Sequence, residues 1–149
     1  MQRTLTSPDD YLASLPDDVR EDMAALDATI AGVFAGHERV LWEGIFWGGS
    51  QQRIIGYGDL RQRNSKGGEV EWFAVGLASQ KSHLSLYVSV VDDGQYLVRQ
   101  YCDRLGKVKC SNANVTFKRL SDLDLPVVVE MVTRARDVWL AQGKPNSST

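Results

Sequence analysis

VEWFAVGLASQKSHLSLYVSV, residues 70–90, decides how this chain folds. Aromatic and β-branched residues flank a polar centre on both sides, the pattern of two strands joined by a turn. A turn around Ser79 to Ser82 predicts Leu77 opposite Leu84, Val75 opposite Leu86 and Phe73 opposite Val88. Those side chains share one face, the predicted core. The other face then carries Trp72, Ala74, Gly76, His83, Ser85, Tyr87 and Ser89. Small residues flanked by Trp72, His83 and Tyr87, with Trp47 or Tyr57 beside them, could floor a shallow ligand pocket over Ala74 and Gly76, or form an ordinary solvated face.

Outward from this hairpin the strand pattern continues. VLWEGIFW (40–47), RIIGYG (53–58) and NVTFKRL (114–120) read as three further strands, which makes an antiparallel meander of about five. Helices flank it. Ser7-Pro8-Asp9-Asp10 is a helix start, with a capping serine and proline in the first turn. A second start follows at Pro16-Asp17-Asp18, after which Val19, Met23, Leu26, Ile30 and Val33 line one face until Gly36. Asp92-Asp93-Gly94 predicts the cap of a helix through QYLVRQYCDRL that stops at Gly106. A last helix runs from about Leu125 to Gln142, with Val128, Met131, Val132, Ala135, Val138 and Trp139 inward. The expectation is one α+β domain over 1–149, ordered from about 8 to 142 with a flexible tail, its N-terminal helix and two C-terminal helices packed on one sheet face.

Composition narrows the functional classes. At 43% hydrophobic and 24% charged residues, the 149-residue chain has the make-up of one globular domain. A net charge of -2 exerts no broad pull on nucleic acid, and the small basic stretch Arg61, Arg63 and Lys66 is followed by acids. No apolar run is long enough to span a bilayer, which argues against a membrane partner. The start lacks an apolar signal core, so the predicted location is cytoplasmic. Cys102 and Cys110 are the only cysteines; free thiols in a reducing cytosol are the default, with Cys102 buried and inert in an apolar helix.

GGSQQRIIGYG (48–58), EVEWFAVGLASQKSHLSLYV (69–88) and LGKVKCSNANVTFKRLSDLDL (105–125) resemble the YdhG-like domain of unknown function. The resemblance runs from about Pro8 to Arg136 and implies that family's α+β fold. Its superfamily includes a frataxin-like iron chaperone, so it also implies a binding or chaperone-type module that could hold iron weakly. Members often carry a second Gly-Lys and a small-Cys pair just after the first lysines, where this chain reads Ser111-Asn112 and Ala113-Asn114.

Three chemical readings follow. Lys107 and Lys109 behind Gly106 could grip a phosphate, but they equally complement the negative end of a helix that Gly106 terminates, and the join is the expectation. Asp17, Asp18, Glu21 and Asp22 could form a carboxylate ridge for a hard cation such as iron, or complement a helix start on a solvated surface. No Cys, Ser or His stands in a recognisable catalytic constellation, which leaves a small-molecule sensor or uncharacterised enzyme on the open sheet face as the alternative.

Overall fold

The computed structural model describes residues 2–37, 39–45, 51–63 and 69–142. Its strands are β1 (Gln2–Arg3), β2 (Arg39–Ile45), β3 (Gln51–Arg63), β4 (Glu69–Ser79), β5 (Leu84–Val88), β6 (Val91–Asp92), β7 (Gln95–Tyr96), β8 (Lys109–Cys110) and β9 (Asn114–Phe117). The helices are α1 (Pro8–Ala13), α2 (Asp17–Val33), α3 (Leu97–Tyr101) and α4 (Leu125–Gln142). Among the described residues seven strands form one antiparallel sheet in the order β1-β2-β3-β4-β5-β9-β8, and β6 and β7 form a separate hairpin. The fold is α+β, as the sequence predicts. No helix among the described residues is long and apolar enough to cross a membrane.

Local signals account for the helices. The Ser7 side chain accepts from the Asp9 amide at the start of α1, and Pro8 occupies its first turn. Met23, Leu26 and Ile30 of α2 are fully buried, as are Val128, Met131 and Ala135 of α4. They close over a sheet face formed by Leu41, Ile55, Val75, Leu77, Leu84, Leu86, Val88, Val115 and Phe117. The apolar positions of each element thus meet in one interior.

The β4–β5 hairpin differs from its predicted register by two residues. Leu77 pairs with Leu86 and Val75 with Val88, because the turn falls one residue later than predicted, over 80–83, closed by a 2.8 Å hydrogen bond from the Gln80 amide to the His83 carbonyl. A shift of two leaves every side chain on its own face. One pair does change sides. Phe73, predicted on the helix face, packs on the opposite face with Trp42, Ile54, Ala78 and Tyr87, while Ala74 joins the helix-side core. The cause is an interruption of the ladder: Tyr57 pairs with Val75 and Asp59 with Phe73, and Gly58 and Ala74 between them are skipped. Gly58 has φ +78, and a Cβ there would come 3.0 Å from the Phe34 ring. No residue is inserted, since Ile55–Leu77 and Leu60–Trp72 keep the same register. The ladder breaks at the left-handed Gly58, and beside it Ala74 faces the helices and Phe73 the outer side.

Two further expectations are corrected. The long helix predicted after Asp92-Asp93-Gly94 is instead the β6–β7 hairpin, turned by Asp93 (φ 56) and Gly94 (φ 77), then the short α3 and a 3₁₀ turn at Cys102–Arg104. Two successive left-handed residues suit a tight hairpin turn and cannot open a helix. Cys102 and Cys110, expected as free thiols, are joined in a disulfide with their Cα atoms 6.3 Å apart. The 3₁₀ turn brings Cys102 back over β8, within ordinary reach for such a bridge.

Candidate functional site

The described structure places the predicted pocket residues in three different settings. Trp47 lies outside the described residues. Tyr57, expected on the open face, is instead fully buried beneath the helices, where its hydroxyl donates to Asp27 Oδ1 at 2.7 Å. Burial, then the neighbouring Asp27 charge, raise its pKa well above the ordinary tyrosine value. Arg39 donates to Asp27 at 2.8 Å and to Asp9 at 2.6 Å, which ties β2 and β3 to α1 and α2. This network is fastening within the core.

Trp72 and Tyr87 do share the outer face, but the space expected over Gly76 is filled. A Cβ on Gly76 would meet the Phe73 ring at 2.5 Å, and one on Gly56 would meet the Trp42 indole at 2.6 Å. The Phe73 ring, on this face beyond the break in the ladder at Gly58, stacks on Trp72 with centroids 4.5 Å apart. Tyr87 accepts from Gln80 Nε2 at 2.9 Å, and the same amide reaches Gln52 at 3.0 Å. The glycines exist so that aromatic rings can lie flat on the sheet.

Of the four acids of the predicted cation ridge, Asp18 and Glu21 are exposed, and Asp17 and Asp22 are engaged separately. Asp17 pairs with Arg20 one turn along α2. Asp22 accepts from the Leu120 amide at 3.0 Å and so docks α2 onto the segment after β9. Among the described residues no group of three or more His, Cys, Asp or Glu side chains is placed to hold a metal ion.

His83 leads elsewhere. It sits at the mouth of an open groove of about 840 Å³ where the start of β5, the 107–109 segment and the end of β9 converge. Val108 and Phe117 form its apolar part, and Ser82, Thr116, Lys107, Lys109, Lys118 and Asp122 its polar part. Register brings these together: Lys109 pairs with Thr116, which pairs with Ser85, two residues beyond His83. Backbone bonds position the other arm. Lys107 donates its amide to the Asp122 carbonyl and Asp124 donates to the Leu105 carbonyl, both at 2.8 Å, on either side of Gly106. Gly106 has φ +113, and a Cβ there would collide with the Asp122 carbonyl. The glycine therefore does not terminate a long helix, as expected, but lets two chain segments touch.

The electrostatics of the groove run against those of the chain. Three lysines and one aspartate line it, leaving two positive charges with His83 neutral, on a chain of net charge -2. Asp122 is already occupied: its Oδ2 accepts from the amides of Lys118 at 3.2 Å and Arg119 at 3.1 Å. Lys107, Lys109 and Lys118 have no ion-pair partner among the described residues and are exposed. Ser82 Oγ lies 3.3 Å from His83 Nδ1, but no described carboxylate orients the ring's other nitrogen, so the two are neighbours rather than a nucleophile and base.

Sequence reasoning named His83 and, separately, Lys107 and Lys109, but missed Lys118, Thr116 and Ser82 as one group. The signal available was the clustering of lysines on segments flanking a strand. Comparison with protein-family models, curated proteins and solved structures found no match to this chain.

Proposed function

We propose that this protein is a binding module whose groove takes an anionic small ligand, phosphate-bearing or polycarboxylate. The observation that supports this reading is the convergence of Lys107, Lys109 and Lys118 on one concave surface, with no ion-pair partner among the described residues. Like charges gathered in this way repel one another, and an anion between them relieves the repulsion. Ammonium groups on long stems act as adaptable point charges, and the Thr116 and Ser82 hydroxyls supply hydrogen-bond partners. Val108 and Phe117 would receive an apolar portion of the ligand.

A binding role agrees with what the YdhG-like resemblance implies, and we propose membership of that family on the quoted motifs. Thermal melting at fixed ionic strength tests the binding. Inorganic pyrophosphate should raise the midpoint for the wild type, since a ligand of the folded state stabilises by mass action, and should not do so for the triple variant K107A/K109A/K118A. An equal rise in both proteins would refute the groove as the binding site.

A further inference from the structure

We propose that the Cys102–Cys110 disulfide is a redox control on this groove, acting through Lys109; the proposal rests on the anion-binding reading above. The bridge closes a loop that contains both Lys107 and Lys109, and its cysteines are the only two in the chain. The two lysines are held by different means. Lys107 is fixed from the backbone by its bond to Asp122 and by the bridge between Gly106 and Leu123, neither of which involves a cysteine. Lys109 belongs to β8, a two-residue strand at the edge of the sheet that pairs only with β9. So short an edge strand contributes little pairing of its own.

The disulfide supplies what β8 lacks. Cys110 pairs with Val115, a helix-side core residue, and is bonded to Cys102 on that side. Successive strand residues point to opposite faces, so anchoring Cys110 inward holds Lys109 opposite Thr116 and over the groove. If Cys110 is released, β8 can peel or slip, and a one-residue slip turns Lys109 away. Both cysteines are partly exposed, so a reductant can reach them.

The step balances with a dithiol reductant. Its thiolate attacks one sulfur, the Cys102–Cys110 bond breaks and a mixed disulfide forms. The reductant's second thiol then displaces that bond and closes its own disulfide. Two electrons and two protons pass to the protein, leaving two thiols. In the reduced state the groove-competent placement of Lys109 is only partly populated, and apparent affinity falls by that fraction.

Two measurements test this on the full chain, oxidised and after dithiothreitol. The first is amide hydrogen exchange without ligand. The Ser111 amide, bonded to the Asn114 carbonyl at 2.8 Å, should exchange faster on reduction, while the Lys107 amide stays protected. Exchange unchanged at Ser111, or accelerated throughout the sheet, would overturn local release. The second is titration with inorganic pyrophosphate. Reduction should weaken wild-type binding by roughly two- to fivefold, the scale of one exposed charge contact. C102S/C110S should match the reduced protein under both conditions. K109A should lose the redox ratio, whereas K107A should bind more weakly in both states and keep it. Equal affinity in both wild-type states would overturn redox control while leaving the groove reading intact. Absence of binding in either state would overturn the groove reading itself and this proposal with it.

Discussion

Tyr57 and Asp27 are hydrogen-bonded across the interface between sheet and helix, the phenol donating to the carboxylate at 2.7 Å. Tyr57 is 1% and Asp27 7% exposed, so this contact replaces solvation that the carboxylate has lost. Arg39, at 2.8 Å, supplies the compensating charge. Tyr57→Phe should cost about 1–3 kcal/mol of stability in denaturant unfolding, because a buried charged acceptor loses a donor.

The same residue makes the fold sensitive to alkali. Burial, followed by the Asp27 charge, raises the Tyr57 pKa well above its ordinary 10.0. The unfolded chain therefore releases this proton first. The contribution is fully present below about pH 10 and is lost as pH rises from there toward the folded value. Tyr11 and Tyr87 are shifted the same way, chiefly by burial, so the decline should be reduced in Tyr57→Phe rather than abolished. Unfolding free energies measured between pH 9 and 11 on the two proteins check this, and parallel curves would contradict it.

The two faces of the sheet should respond differently to truncation. Leu86 is fully buried under the helices, and Leu86→Ala should destabilise by about 2–5 kcal/mol through lost burial and a cavity. Phe73 fills the outer face above Gly76, and Phe73→Ala should cost a comparable, about 3–5 kcal/mol. The informative contrast is Gly76→Ala, which puts a methyl group into the Phe73 ring and Ile54 and should destabilise by about 1–3 kcal/mol. A neutral Gly76→Ala would mean that the ring does not lie there.

These sites show where the sequence was legible. The face assignment of Leu77, Leu84, Leu86, Val75 and Val88 followed from alternation and survived a two-residue register shift, since such a shift preserves faces. Phe73 did not follow, because the break in the ladder at Gly58 and Ala74 lies against Phe34 and Trp139, which are distant in sequence. Tyr57 went to the core for the same kind of reason: its partner Asp27 belongs to a helix whose facing surface alternation cannot identify. The groove was invisible as a unit, since His83, Lys107 and Lys118 meet only once β5 and β9 pair. The eight-residue spacing of the cysteines carried no sign of pairing without the 3₁₀ turn that folds one over the other.

Gly106 offers a direct check on how the lysine arm is held. Its φ of +113 and its contact with the Asp122 carbonyl both exclude a side chain. Gly106→Ala should destabilise the fold by about 2–4 kcal/mol, combining backbone strain with overpacking. Lys107→Ala next to it should change stability by less than about 0.5 kcal/mol, because the side chain has no described ion-pair partner. Thermal unfolding of both variants separates the glycine's structural role from the lysine's binding role.

In the proposed function an anion binds among Lys107, Lys109, Lys118 and His83, which line one groove. Titrating inorganic pyrophosphate into the isotope-labelled, oxidised protein and following backbone amide shifts tests this most directly. Binding in the groove should give saturable shifts confined to Ser82, His83, Lys107 to Lys109 and Thr116 to Lys118, weakened by added salt and absent in K107A/K109A/K118A. Shifts that never saturate and spread over unrelated basic positions such as Arg20 and Arg99, with the groove amides unmoved, would contradict it.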